Sequence, residues 1–157
     1  MNQMLKFSSK IFDEIVIEGI INLKAERKFK HLKAFDLKIL NKNEHLLDIS
    51  AMNDFLKLKY SIPYNQTAIR IKIENNNKIF FDDDKYELKL ESMYPFRKKY
   101  GEVLLNNQKI GDIILEKKFI DMVLNFTTCD DILINEINAF KIAVLILLNI
   151  ADLDGSE

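Results

Sequence analysis

Apolar and polar residues alternate with a period of two through the middle of the chain. The alternation runs through FLKLKYSI (55–62), AIRIKIE (68–74) and KYELKLE (85–91). The apolar positions that share a face are Leu56, Leu58, Tyr60 and Ile62 in the first stretch, Ile69, Ile71 and Ile73 in the second, and Tyr86, Leu88 and Leu90 in the third. Because successive side chains of a strand point to opposite faces, each stretch predicts a β-strand with one buried face.

Asparagine-rich segments separate the predicted strands. NKNE (41–44), NNNK (75–78) and NNQK (106–109) each stand between two apolar runs. Asn tolerates the left-handed backbone conformation that tight turns need, so each segment predicts a hairpin turn. With a further strand at FIDMVLNF (119–126), the pattern predicts an antiparallel meander from about residue 20 to residue 127.

The first residues of the chain fit two interpretations. One is a short helix that ends near Glu18, with Ser8 or Ser9 as its N-cap. Helical spacing is followed by Ile11, Phe12, Ile15, Val16, Gly19 and Ile20. Asp13 and Glu14 would place acidic side chains in the first turn of this helix. The alternative is two strands in EIVIEGIINL (14–23). We favour the helix, and we assign residues 1–18 as an N-terminal extension of a single domain over residues 1–157.

The stretch AFKIAVLILLNIADLDG (139–155) predicts a long apolar helix over residues 132–153. Asp131 or Asn135 can cap its start, and Gly155 stands where a helix terminates. The polar positions form one narrow stripe, Asn135, Asn138, Lys141, Asn149 and Asp152, interrupted by Leu145. The predicted core positions are Phe140, Ile142, Val144, Leu145, Ile146, Leu147, Leu148 and Ile150. A surface helix has a wider polar face, so this helix is predicted to be buried on nearly all sides.

A membrane anchor is the alternative for the same stretch. A membrane-spanning helix needs about 20 apolar residues. Residues 139–151 supply 13 positions, two of them polar, and acidic residues flank the stretch on both sides. Burial inside the protein's own sheet is therefore the favoured interpretation.

Composition excludes several classes of protein. A chain of 157 residues with a net charge of −1 has no overall field that attracts nucleic acid, so no nucleic-acid partner is expected. The single cysteine rules out an internal disulfide and suits a reducing compartment. The start MNQMLKFSSK lacks the apolar core of a signal peptide, which favours a cytoplasmic location, with peripheral attachment to a membrane left open.

Many short antiparallel strands followed by one apolar helix suggest a barrel built around that helix. Three segments, FDLKILNKNEHLLDIS (35–50), NNQKIGDIILEKKF (106–119) and AFKIAVLILLNIADLDG, resemble the tubby C-terminal-like superfamily, which includes the LURP-one-related proteins and phospholipid scramblases. The resemblance covers about residues 20–153. It implies a mainly β (α+β) fold, a closed or nearly closed antiparallel barrel of about twelve strands around a central hydrophobic helix. It implies binding or membrane-associated roles and no catalytic set.

Candidate catalytic residues are sparse. The chain contains no glycine-rich phosphate loop, no GxSxG elbow and no HExxH helix. His31 and His45 are predicted in or beside turns, and Cys129 is followed by two aspartates that disfavour its thiolate. The acidic run at 82–84 lacks the ligand spacing of a calcium loop, so a solvated hairpin tip is favoured. We therefore expect a non-enzymatic protein without metal or cofactor.

Two basic clusters are the candidate binding residues. The first is Lys24, Arg27, Lys28, Lys30 and Lys33, and the second is Arg97, Lys98 and Lys99. Basic residues near an anionic membrane gain about 1 kcal/mol each, so convergent clusters predict a lipid-headgroup site. The alternative is that they are outward-facing positions balanced by nearby acids. The expected function is binding of a lipid headgroup, a small apolar ligand or a protein by a monomer. A bacterial immunity or inhibitor-type interaction module is the alternative.

Overall fold

Twelve strands and one helix make up the computed structural model, which describes residues 3–9, 14–30, 34–91, 99–117 and 122–153. The elements in chain order are β1 (Met4–Ser9), β2 (Glu14–Gly19), β3 (Leu23–Phe29), β4 (Phe35–Asn41), β5 (Glu44–Asp54), β6 (Lys57–Asn65), β7 (Ile71–Asn75), β8 (Lys78–Phe81), β9 (Asp84–Leu90), β10 (Lys99–Leu105), β11 (Gln108–Lys117), β12 (Met122–Thr128) and α1 (Glu136–Leu153). The predicted strand meander followed by one helix is confirmed.

The strands form one antiparallel sheet that curls into a nearly closed barrel. Their order is β6-β5-β4-β3-β2-β1-β12-β11-β10-β9-β8-β7. Strand β1 pairs with β12, so the two ends of the meander meet in the middle of the sheet. The two edge strands, β6 and β7, are consecutive in sequence, and no ladder joins them in the described part of the chain. The predicted barrel of about twelve strands is confirmed.

The predicted N-terminal helix is wrong where the structure describes it. Residues Glu14–Gly19 form β2 and Met4–Ser9 form β1, so Ser8 and Ser9 lie in a strand and cap no helix. The burial alternates, with Ile15 and Ile17 inside the barrel. Pairing of β1 with the distant β12 decides the conformation, and local helical spacing carries no information about that contact. Strands β1 and β2, which fall in the predicted N-terminal extension, are therefore part of the barrel, while Ile11 and Phe12 lie outside the described residues.

The asparagine-rich turns are confirmed, and one further turn differs from the prediction. Turns join β4 to β5, β7 to β8 and β10 to β11. Residues Phe55 and Leu56, predicted as the start of a strand, form the β5–β6 turn instead, with Phe55 at a φ of 58°. These two apolar residues extend the alternating pattern into the turn, and no glycine or asparagine marks it. Leu56 is therefore fully exposed rather than on the buried face.

Helix α1 fills the barrel. Every residue from Ala139 to Ala151 is at most 9% exposed, including all eight predicted core positions. The helix begins at Glu136, later than the predicted residue 132, because Asn135 acts as the N-cap: its Oδ1 accepts a 2.8 Å hydrogen bond from the backbone N–H of Asn138. Gly155 lies outside the described residues. Within those residues, no helix has the length and apolar character that crossing a membrane requires.

Candidate functional site

A cavity of about 590 Å³ opens at the end of the barrel where α1 begins. We call it the mouth cavity. Its walls come from the β2–β3 connection (20–23), the β4–β5 turn (41–42), the β6–β7 connection (67–69), Leu46 and the first turn of α1 (136, 137 and 140). Three separate connections and the start of α1 therefore meet around one opening.

The β6–β7 connection is held against the cavity by a local hydrogen-bond network. The side-chain oxygen of Asn65 accepts hydrogen bonds from the backbone N–H of Thr67 at 2.8 Å and from its hydroxyl at 2.6 Å. The Asn65 side-chain amide donates to the carbonyl oxygen of Ile69 at 2.8 Å. This arrangement bends the chain through Ala68, whose φ is 54°. It fixes one wall of the cavity beside strands β6 and β7, whose described residues do not pair with each other.

The mouth cavity has apolar walls and a charged rim. Ile20, Ile21, Leu46, Ile69, Ile137 and Phe140 provide the apolar walls. Lys42 and Glu136 lie at the rim, and neither forms an ion pair with another described residue. Ligand pockets in proteins are typically about 300–1,000 Å³, mostly apolar, with a few polar groups that orient the ligand. The cavity therefore has the size and character to hold an apolar or amphipathic small molecule.

The first basic cluster lies partly in one surface pocket, which Arg27, Lys28 and Lys30 line together with Asp36 and other acidic residues. Lys24 lies 3.5 Å from Glu14 and 3.6 Å from Glu26, and the charge of Lys30 is 3.0 Å from a carboxylate oxygen of Asp36. These lysines already have carboxylate partners. Lys28 is exposed on the outer face of β3, and Lys33 lies outside the described residues.

Arg27 points into the barrel rather than toward solvent. Its side chain is 3% exposed, and it donates a 3.3 Å hydrogen bond to the carbonyl oxygen of Ala151 near the end of α1. The guanidinium also lies 4.4 Å from the ring centroid of Phe29. A cation at the C-terminal end of a helix stabilises the helix, because it interacts favourably with the helix dipole. The position of Arg27 therefore supports the central helix.

In the second basic cluster, only Lys99 lies within the described residues, since Arg97 and Lys98 fall in the undescribed range 92–98. Lys99 donates a 2.6 Å hydrogen bond to Glu102 and lies 3.1 Å from Asp112, which is 2.9 Å from Lys109. The hydrogen bond to Glu102 raises the pKa of Lys99 and lowers the pKa of Glu102. Lys99 is therefore embedded in an ion-pair network on β10 and β11. Lipid binding by either cluster stays a prediction.

This network predicts acid sensitivity. Burial raises the pKa of Asp112, but its contacts with Lys109 and Lys99 outweigh burial, so the pKa falls below 3.8, and that of Glu102 falls below 4.5. A carboxyl with a depressed folded pKa stabilises the protein above the unfolded pKa, and this contribution is lost as the pH falls. We expect Glu102→Gln to lower Tm at neutral pH and to flatten the fall of Tm between about pH 5 and pH 3. Thermal unfolding followed by circular dichroism measures both effects.

Glu18→Gln is the matched control for this experiment, because Glu18 is exposed on β2 and forms no ion pair with any described residue. Its Tm profile should follow that of the wild type at every pH. An unchanged slope for Glu102→Gln would contradict a role of this network in acid stability.

The polar stripe of α1 contacts the barrel wall. Asn138 donates a 2.8 Å hydrogen bond to the Tyr86 hydroxyl, whose pKa is raised chiefly by burial. The Tyr100 hydroxyl donates to the side-chain oxygen of Asn149 at 2.6 Å, and the Asn149 amide donates to the side-chain oxygen of Asn77 at 2.7 Å. Buried polar groups need such partners. The stripe therefore sets the rotation of the helix inside the barrel, and it leaves the opposite side of the first turn facing the mouth cavity.

The mouth cavity escaped prediction because its walls are far apart in sequence. The Asn65–Thr67 pair is a turn signal that could have marked one wall, since Asn and Thr side chains bond their own backbone in tight turns. No signal in the sequence joins that wall to the first turn of α1. Among the described residues, no group of His, Cys, Asp or Glu side chains is arranged to hold a metal ion.

The fold and the cavity define a class of protein: a nearly closed antiparallel barrel around a buried helix, with an apolar opening at one end. Comparison with known proteins adds no relative to this description. No protein-family model, no curated protein and no solved structure matches the chain.

Proposed function

We propose that this chain is a non-enzymatic, tubby-like barrel that binds an apolar or amphipathic small molecule in the mouth cavity. The observation that carries the proposal is the cavity of about 590 Å³ with apolar walls at the start of α1. Apolar atoms of a ligand would be removed from water there, while Lys42 and Glu136 at the rim would contact its polar end. A hydrophobic contribution of about 25 cal/mol per Å² of buried apolar surface supplies the affinity.

A lipid-headgroup site on the basic clusters has less support. Lys24, Lys30 and Lys99 each lie within 4 Å of at least one carboxylate oxygen of the protein itself. An anionic headgroup would have to displace these partners. Ligand binding in the mouth cavity requires no such exchange.

Binding of the apolar dye 1-anilinonaphthalene-8-sulfonate tests the proposal. The wild-type protein should enhance the fluorescence of the dye in a saturable manner. Ile137→Glu places a charge on the cavity wall at a side chain that is 58% exposed, so the fold should survive. We expect this variant to weaken dye binding at least about tenfold, the equivalent of 1.4 kcal/mol.

Leu133→Glu is the matched control, because Leu133 is 83% exposed and lies outside the cavity lining. It should bind the dye as the wild type does. Equal loss in both variants, or no loss in Ile137→Glu, would contradict binding in the mouth cavity. Circular dichroism of each variant establishes that the barrel is intact.

A second candidate is a protein-interaction module of the bacterial immunity or inhibitor type. The fully exposed Phe55 and Leu56 favour it, because Phe is among the residues enriched in the core of protein interfaces. A stable complex with the product of a neighbouring toxin-like gene, lost on Phe55→Asn, would support this role. A complex that survives the substitution would contradict a role of the turn.

A further inference from the structure

The β5–β6 turn presents an apolar tip that the barrel does not need for its own stability. Phe55 and Leu56 are 99% and 104% exposed, and Phe55 has a φ of 58°. Positive φ is uncommon outside glycine, asparagine and aspartate, and it is an outlier for a bulky residue. A glycine at position 55 followed by a polar residue would form such a turn without either cost. We call residues 54–57 the hairpin tip, and its strain and exposure indicate a binding role.

The hairpin tip and the mouth cavity lie at opposite ends of the barrel. Strand β5 begins beside the β4–β5 turn at the cavity, spans 11 residues and ends at the tip. At about 3.3 Å per residue, these ends are about 35 Å apart. The tip of one chain therefore cannot enter the cavity of the same chain.

The two features carry complementary charges. Asp54 and Lys57 face each other across the hairpin tip, and Lys42 and Glu136 lie at the cavity rim. None of these four residues forms an ion pair within the described ranges. Each feature thus combines an apolar centre with one acid and one base.

We propose that the hairpin tip of one copy of this chain inserts into the mouth cavity of a second copy. Phe55 and Leu56 would pack against the apolar walls, with Asp54 beside Lys42 and Lys57 beside Glu136. The contact joins two different surfaces, so it is a heterologous head-to-tail contact that leaves a free tip and a free cavity at the ends of each assembly. The proposal rests on the same cavity as the proposed function, and a bound apolar ligand would exclude the tip.

The absence of net charge on the hairpin tip favours a second copy over an anionic lipid bilayer as its partner. Asp54 stands opposite Lys57 in the hairpin register, so the turn carries no net charge to attract anionic lipid. The contact itself is small, because a hairpin tip buries far less than the roughly 1,600 Å² of a standard protein interface. We therefore expect weak self-association that appears only at high protein concentration.

Sedimentation velocity over a concentration series tests the proposal. The wild-type protein should show an average mass that rises with concentration up to about 1 mM, a concentration suited to weak interactions. The tip variant, Phe55→Asn with Leu56→Gly, and the cavity variant, Ile137→Glu, should each remain monomeric. Leu133→Glu should associate as the wild type does. Constant mass of the wild type, or association of either variant alone, would overturn the proposal.

Mixing the two variants gives the sharpest result. The tip variant retains an intact cavity and the cavity variant retains an intact tip, so an equimolar mixture should form a dimer and nothing larger. The substituted residues are all more than half exposed, so both variants should fold. Circular dichroism of each variant checks this. A mixture that stays monomeric while the wild type associates would overturn the head-to-tail contact.

Two further measurements separate this proposal from its alternatives. The chain has no tryptophan, so Phe55→Trp provides a single emission signal that should shift to shorter wavelength as concentration rises.

Dye binding to the monomeric tip variant reports on the mouth cavity alone. Dye binding without self-association of the wild type overturns the tip proposal only, whereas no dye binding overturns the proposed function. Flotation of a monomeric wild type with anionic vesicles, lost in the tip variant, would assign the tip to lipid.

Discussion

Val144→Asp should abolish folding. Val144 is fully buried in the middle of α1, and the adjacent helical residues from Ala143 to Leu148 are also 0% exposed. An isolated carboxylate there would lose its hydration without a partner, at a cost of several kcal/mol, in addition to the lost apolar packing. A domain of this size has a net stability of about 5–15 kcal/mol. We expect insoluble protein, or protein without a cooperative thermal transition in circular dichroism.

Lys141→Ala is the control on the same helix. Lys141 is 8% exposed, with its ammonium 6.0 Å from the ring centroid of Tyr86. Its removal should lower Tm by several °C, about 2–4 °C per kcal/mol for a protein of this length. Truncation before Ala139 removes the core helix altogether and should leave unfolded protein. A folded, soluble truncated barrel would contradict the role of α1 as the core.

Gly19→Ala should destabilise the barrel through the backbone alone. Gly19 has a φ of +138°, and an added Cβ would overlap the carbonyl oxygen of Met4. Gly19 pairs with Leu5 at the end of the β1–β2 ladder, so the overlap would push these two strands apart. Strain at such a backbone position costs about 1–3 kcal/mol before the steric overlap is included. We expect a loss of about 3 kcal/mol and a fall in Tm of about 6–12 °C.

Glu18→Ala is the matched control for this substitution, since Glu18 is the preceding residue and its side chain is exposed. Surface substitutions without special contacts usually change stability by less than about 0.5 kcal/mol. Chemical denaturation should therefore separate the two variants clearly. Equal midpoints for Gly19→Ala and the wild type would show that β1 moves to accommodate the methyl group.

Local sequence patterns were sufficient to predict elements whose conformation depends on a few consecutive residues. Alternation in residues 85–91 predicted a strand with Tyr86, Leu88 and Leu90 on one buried face. Tyr86 and Leu88 are buried, whereas Leu90, the last residue of β9, is 42% exposed. The asparagines at 106–107 predicted a hairpin turn, and both have positive φ. Each of these structures depends on side-chain alternation or on the backbone preference of one residue type, and both can be recognised from a few consecutive residues.

Local patterns failed where distant contacts compete with them. Residues 14–18 have apolar side chains at helical and at strand spacing, and only pairing of β1 with β2 and β12 selects the strand. Arg27 stands in a run of basic residues, yet the end of α1, more than 120 residues later in sequence, determines that its side chain is buried. In both cases the deciding partner lies too far along the chain for a local pattern to indicate it.

The sequence by itself determined the class of the fold: short antiparallel strands, asparagine turns and a helix too apolar to lie on a surface. These features follow from side-chain periodicity and backbone preference, which act over a few residues. The tertiary structure alone decided which surfaces are available for binding. Curling of the sheet brings three distant connections and the start of α1 around the mouth cavity, pairs Lys24 and Lys99 with carboxylates, and leaves Phe55 and Leu56 in solvent. Those outcomes depend on which strands become neighbours, and only the closed sheet determines that.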